Sequence, residues 1–403
     1  MKYLWEGGVN LFQKIATLVA EYKSLHGAES CINIGSGEPD MTPPKLLREL
    51  VAAEVMRDDQ RIHTYQENNS RNRLNQNFIE LNTGVNIDEY PHLASLITPG
   101  EKTMLALLPI ACGANRNDVT LANRGYMVNA PAYDIIRTWS GYLGEPSCVW
   151  PMYASENFRL NIRNMPVWAK PRMILTVKPG NPCPVWATRE EWIELIEHCI
   201  ANGIRLVNDG TYTALTHTSH VTLTEVAKDY PALDWIELFS MSKTFSACGW
   251  RLAVTVGSRD FISELAKVKG NTDSGPFGPL LSAMDTYLEM PEAKQDARKN
   301  QEKYAKRITI LRDVFMQFGL RPTCSTDAGF FMMFDCPQQI NNEVIENSEE
   351  YNKKIIDLTG VVGVPFVGQR WEQFIRYSAC YDAENEANRA KLRSALAKVT
   401  ISY

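Results

Sequence analysis

The chain has 403 residues, 44% of them hydrophobic, and a formal net charge of −5. The length exceeds what one core usually holds and predicts two domains; the charge leaves no basic footprint for nucleic acid; and the lack of a long uncharged apolar run excludes a membrane span. Nine cysteines without a Cys-x-x-Cys pair and six histidines without metal-type spacing predict neither a disulfide framework nor a metal site.

Taken in chain order, Met1–Gly8 lacks the apolar core of a secretory signal, so the expected location is the cytoplasm. Leu11, Ile15, Leu18, Val19, Tyr22 and Leu25 then recur at helical spacing and predict a helix from Leu11 to His26. Glycine and proline punctuation across Ile34–Asp40 and at Pro43 and Pro44 precedes a helical pattern from Lys45 to about Met56. Between about residues 95 and 270, apolar runs read as strands at Ser95–Pro99, Asp118–Leu121, Met173–Val177, Arg205–Asn208, Trp235–Phe239 and Leu252–Val256. Helical segments separate them, and such alternation predicts a largely parallel sheet covered by helices. Two runs end in polar groups, near Asn181 and at Asp209, where open α/β sheets place their ligands. After residue 280 the texture changes to a charged helical stretch from about Leu281 to Phe318, a β-like run at Gly329–Phe334, a strand at Phe374–Ser378 and a helix from Glu384 to Val399. These predict a large domain over 45–280 and a smaller α+β domain from 281–403 together with 1–44.

The most informative stretch is Ser240–Arg251, Ser-Met-Ser-Lys-Thr-Phe-Ser-Ala-Cys-Gly-Trp-Arg. A lysine amine forms Schiff bases with carbonyls, while Ser240, Ser242 and the planar fork of Arg251 suit a phosphate. A phosphorylated aldehyde meets both demands, which points to pyridoxal 5'-phosphate with Lys243 as its anchor. Alone, Ser-x-Ser-Lys fits a solvated loop equally well. The order Asn181, Asp209, Tyr212, Lys243, Arg251 makes the difference: along nearly its whole length the chain resembles the aspartate aminotransferase superfamily, the fold type I pyridoxal-phosphate enzymes.

That resemblance implies an α/β fold whose large domain has a mainly parallel seven-stranded sheet sandwiched by helices. It implies a role for each matching residue. Asp209 keeps the pyridine nitrogen protonated, and Asn181 and Tyr212 donate to the phenolic oxygen. The phosphate is bound at a helix N-terminus by Gly100 and the amides of Glu101 and Lys102, with Ser240, Ser242 and Arg251. Tyr133 stacks on the ring, and Tyr65 reaches the cofactor of a second subunit, making a homodimer with shared sites. Gly37, Asn181 and Arg376 bind the substrate, Arg376 as a bidentate carboxylate clamp.

Together they imply a ping-pong, Schiff-base aminotransferase acting on an amino acid and a 2-oxo acid, with glutamate and 2-oxoglutarate as one pair. Lys269–Phe277 is similar to a stretch in a subgroup containing LL-diaminopimelate and alanine aminotransferases. The chain departs from the family pattern at Pro184 and Gly210, and at Ser70, where a glycine is usual. Glu101 is a further oddity, because a glutamate beside a phosphate calls for a side chain turned to solvent. The same scaffold also serves a C–S β-lyase, an aminocyclopropane-carboxylate synthase type of lyase, and a catalytically silent binding homologue.

Overall fold

The computed structural model of the protein describes residues 11–66, 72–114, 125–133 and 135–403. Its centre is a sheet of β1 (Leu93–Thr98), β2 (Tyr126–Ala130), β3 (Ser147–Pro151), β4 (Met173–Val177), β5 (Arg205–Asp209), β6 (Trp235–Ser240) and β7 (Ala253–Ser258). The spatial order is β1-β7-β6-β5-β4-β2-β3, parallel except that β7 runs against both of its neighbours.

Every residue of β4 and β6 is buried. Successive side chains feed opposite faces: Ile174, Leu206 and Trp235 enter one core, and Leu175, Val207 and Ile236 the other. A strand covered on both faces needs no polar alternation, which is why these strands were visible as unbroken apolar runs. Of the helices that flank the sheet, Arg189–Asn202 opens with a reciprocal capping box between Thr188 and Glu191 and stops at Gly203, φ +61°.

Two strands, β2 and β3, fall outside the sequence expectation. Both run into proline, Pro131 just after β2 and Pro151 at the end of β3 on the sheet's edge, and proline is a signal for loop rather than strand. The strand expected at Asp118–Leu121 lies outside the described residues.

The single helical stretch expected from Leu281 to Phe318 is two helices, Gly278–Tyr287 and Pro291–Gln317. Pro291 has no amide hydrogen to donate and occupies the first turn of the second helix, so the first cannot continue through it. Beyond lies an antiparallel sheet of β8 (Phe331–Asp335), β9 (Val364–Val367) and β10 (Gln373–Ser378), with β10 central. Tyr304, Leu311 and Phe315 pack with Phe334 and Tyr377 into its core, whereas Ala293 and Ala297 of the same long helix belong to the core of the large sheet.

The N-terminal segment is fixed to this C-terminal region. Ile32–Asn33 pairs in parallel with Val361–Val362, and the buried Arg307 holds Asp40 at 2.8 Å and Asp382 at 3.1 Å. Among the described residues no helix is long and apolar enough to cross a membrane.

Candidate active site

Parallel connections bring the C-terminal ends of neighbouring strands together, so that Val177 pairs with Asp209 and the chain leaves β6 at Ser240 nearby. A cavity of about 290 Å³ opens there. Of the site residues expected from sequence, Gly37, Glu101, Lys102, Tyr133, Asn181, Asp209, Tyr212, Ser240, Ser242, Lys243, Arg251 and Arg376 all line it. Gly100 stands directly behind Arg251. Tyr65 is outside the cavity of its own chain and 81% exposed.

Lys243 sits on the short helix Met241–Thr244, capped by Ser240, whose Oγ accepts from the Ser242 amide at 3.2 Å. Its Nζ donates to the Gly37 carbonyl at 2.8 Å and approaches Cys248 Sγ at 3.4 Å, above the Phe330 ring at 5.7 Å. Asn300, from the helix Pro291–Gln317, fixes the turn by donating to the Lys243 and Thr244 carbonyls at 2.9 and 3.0 Å.

Arg376 on β10 is 1% exposed, and Phe331 lies 4.0 Å beneath its guanidinium. It donates to Asn181 Oδ1 and, at 2.7 Å, to the Gly35 carbonyl, while its Nε is buried with no partner. Burial lowers its pKa to about 10, and among the described residues no carboxylate pairs with it. A buried cation in this state is costly unless an anion joins it.

At the opposite end, Gly100 precedes the helix Glu101–Ala111 with φ +89°, and no side chain caps the helix's free amides. A Cβ at Gly100 would come within 2.2 Å of Arg251 Nη2, so the guanidinium lies on the glycine backbone. Free helix amides beside a guanidinium form an anion site. Asp209 is buried and accepts from the Thr211 amide at 3.1 Å. Burial holds the Tyr212 phenol well above its usual range.

The unusual turns now have local reasons. At Gly210 a Cβ would meet Thr213 Oγ1 at 3.0 Å and the Leu238 carbonyl at 3.1 Å. The turn after β4 is closed by the Gly180 amide on the Cys183 carbonyl at 3.1 Å, and Pro184, which has no amide to offer, accepts from Asp327 at 2.9 Å. Ser70 lies outside the described residues.

The expectation for Glu101 is corrected. Its side chain does not reach solvent but turns into the cavity, 6% exposed, where Oε2 accepts from Thr211 Oγ1 and Oε1 has no partner. Phe12, Leu105, Val177, Thr211 and Cys248 also line the cavity and were not foreseen. Thr211 and Cys248 lie inside motifs already singled out; Phe12 belongs to a helix whose spacing spoke only of packing.

An amine at one side, a buried carboxylate at the end of β5, and an arginine with hydroxyls and helix amides at the other end suit a pyridine that carries an aldehyde and a phosphate. The model of the family described as aminotransferase class I and II matches residues 29–391. The LL-diaminopimelate aminotransferase of Methanocaldococcus jannaschii is 26% identical over 394 residues, 96% of this chain and 89% of that one. That of Aquifex aeolicus is 26% identical over 361 residues, 88% of each. Among solved structures, substrate-bound BacF from Bacillus subtilis superposes with a TM-score of 0.80 at 18% identity, over 98% of this chain and 96% of that one. An aspartate aminotransferase mutant from Thermus thermophilus gives 0.79 at 17%, over 97% and 96%. The last two likenesses show the fold, a large mostly parallel sheet in a mixed α/β chain.

Proposed function

The chain belongs to aminotransferase class I and II and is a pyridoxal-phosphate-dependent enzyme that moves an amino group between an α-amino acid and a 2-oxo acid; we propose that the cavity around Lys243 is where it does so. The observation that carries this reading is the pairing, in one cavity, of a lysine amine with a buried arginine that has no anion.

Bound there, pyridoxal phosphate supplies an aldehyde carbon to take up the amino group and a ring to draw electron density from it. Asp209 would hold the ring nitrogen protonated, and Asn181 and Tyr212 would donate to the phenolic oxygen. The Glu101 and Lys102 amides, Gly100, Ser240, Ser242 and Arg251 would hold the phosphate, and Tyr133 the ring face. Arg376, with Asn181, clamps the substrate α-carboxylate and so fixes the direction of the Cα–H bond. Lys243, freed from its role as anchor, removes the Cα proton as general base. The Gly37 carbonyl, now a partner of the Lys243 amine, belongs to the segment that closes over the substrate.

The two halves of the reaction follow one another in ping-pong order. We take glutamate and 2-oxoglutarate as one pair, and LL-diaminopimelate, from the names of the relatives, as the first other donor to test. The exposure of Tyr65 supports a homodimer in which it serves the second subunit's site. Nine free thiols fit a reducing compartment, and we place the enzyme in the cytoplasm. We keep the division into 45–280 and the remainder, with the helix Pro291–Gln317 as the joint.

The test is the visible absorbance of the holoenzyme, read as single amino acids are added without an oxo acid. True donors will bleach the band stoichiometrically and a 2-oxo acid will restore it, whereas Lys243→Ala will show neither change. Pyruvate and ammonia accumulating under a persistent band would replace the transaminase reading by a lyase; no band after addition of the cofactor would remove the site assignment.

A further inference from the structure

The segment 34–40 is held from outside at both ends and in its middle. The Ser378 amide donates to the Ile34 carbonyl at 2.6 Å, Arg376 to the Gly35 carbonyl at 2.7 Å and Lys243 to the Gly37 carbonyl at 2.8 Å. At the far end, Arg307 Nη1 donates to both carboxylate oxygens of Asp40, at 2.9 and 2.8 Å. The two middle bonds come from cations that the reaction needs elsewhere. Lys243 must give up Gly37 to anchor the cofactor, and Arg376 must share its fork with the substrate carboxylate. The bond to Asp40 depends on neither ligand. Arg307 is 2% exposed and sits on the helix Pro291–Gln317. The same helix carries Asn300, which bonds the Lys243 carbonyl, and Tyr304, whose ring lies 5.1 Å from that of Phe330 beneath the lysine amine. Positions 300, 304 and 307 fall on one side of a helix, so one face sets the lysine turn and the end of the segment relative to each other.

We propose that Arg307 and Asp40 are a positioning pair for the reaction: their bond keeps the segment 34–40 seated once the site is loaded, and so sets how well the amino donor is held. The inference rests on the reading of the cavity as the aminotransferase site. A charge-assisted bond to a carboxylate is stronger than a bond to a neutral carbonyl, and a buried guanidinium is little screened by salt. The pair therefore outlasts the ties that loading removes. In the cofactor-free chain Lys243 and Arg376 duplicate its work; in the loaded enzyme it holds that end of the segment without the lysine's help. The same guanidinium donates through Nη2 to Asp382 at 3.1 Å, a residue outside the segment. Two carboxylates on one arginine thus separate seating of the segment from packing around the arginine.

The experiment compares full-length wild type, Asp40→Asn and Asp382→Asn, with Arg307→Lys as a second variant that keeps the charge and loses the fork. Steady-state kinetics with glutamate and 2-oxoglutarate are paired with hydrogen exchange of the amides at 34–40, read by mass spectrometry on cofactor-stripped and loaded protein. Asp40→Asn should raise KM for the donor about tenfold and leave kcat within about threefold. Its 34–40 amides should exchange about tenfold faster than those of wild type in the loaded enzyme and within about twofold in the stripped protein. Arg307→Lys should move the same way, and Asp382→Asn should match wild type in both readouts. Arg307→Lys carries the test if Asp40→Asn does not fold. Equal effects of Asp40→Asn and Asp382→Asn, an unchanged KM, or exchange that quickens alike with and without cofactor would overturn the proposal and leave the pair as packing. Failure of wild type to show a visible band with pyridoxal phosphate would instead overturn the site reading, and this inference with it.

Discussion

Arg376 is the side chain whose surroundings ask most plainly for a ligand. Its charge is buried, aromatic rings cover it, and the groups it meets, Asn181 and the Gly35 carbonyl, are neutral. Such an arrangement lowers stability and gains binding. Arg376→Lys, which keeps the charge and loses the planar fork, should lower kcat/KM for amino donors about a hundredfold, or about 3 kcal/mol, with most of the change in KM. Absorbance of the bound cofactor should stay unchanged. Arg376→Met removes the unpaired buried charge, so in thermal unfolding of the cofactor-free protein it should match or exceed wild type while its activity is lost. A large drop in melting temperature for Arg376→Met would make the arginine structural and remove the clamp.

At the scale of elements, the Lys243 turn is held from outside its own sheet. Asn300 bonds both carbonyls of that turn from a helix rooted in two cores, so it transmits the position of the C-terminal region to the lysine. Asn300→Ala should cost about 1 to 3 kcal/mol in urea unfolding, because two buried carbonyls lose their donor. It should also lower kcat more than it raises KM; a variant with the stability loss and wild-type kcat would show the link to be packing alone.

Much of this arrangement was legible in the sequence. Strands such as Met173–Val177 and Trp235–Ser240 declare themselves by apolar runs because both of their faces are covered, and the motif residues follow their C-terminal ends. The burial of Glu101 was not legible, since it depends on Thr211 and Asp209, delivered from a strand more than a hundred residues away. Neither was the break before Pro291, where charged helical composition on both sides concealed the proline's effect.

For the whole molecule, buried carboxyls set the response to pH. Glu237, in the middle of the large sheet, is fully buried and accepts from Asn208 at 2.7 Å and from Thr224 Oγ1 at 2.6 Å; burial outweighs these bonds and raises its pKa above the ordinary 4.5. With the folded value above the unfolded one, the folded state holds the proton more tightly. The stabilising contribution is therefore complete below about pH 4.5 and is lost as pH rises through the raised folded value. Urea unfolding at a series of pH values should show wild-type stability falling relative to Glu237→Gln across that window and levelling above it. A constant difference would mean that folding leaves the carboxyl's pKa unchanged.

The pairing of Ile32–Asn33 with Val361–Val362 also has a bearing on how the protein is born. On the ribosome the early strand emerges first and finds no mate, while the large sheet, from β1 to β7, is available to form in the interval. Only when Val361 has left the exit tunnel can the waiting segment dock, carrying Gly37 to the lysine amine. Pocket assembly thus waits on a strand made long after the lysine, and a nascent chain that lacks Val361–Val362 lacks the mate that seats the Gly37 segment.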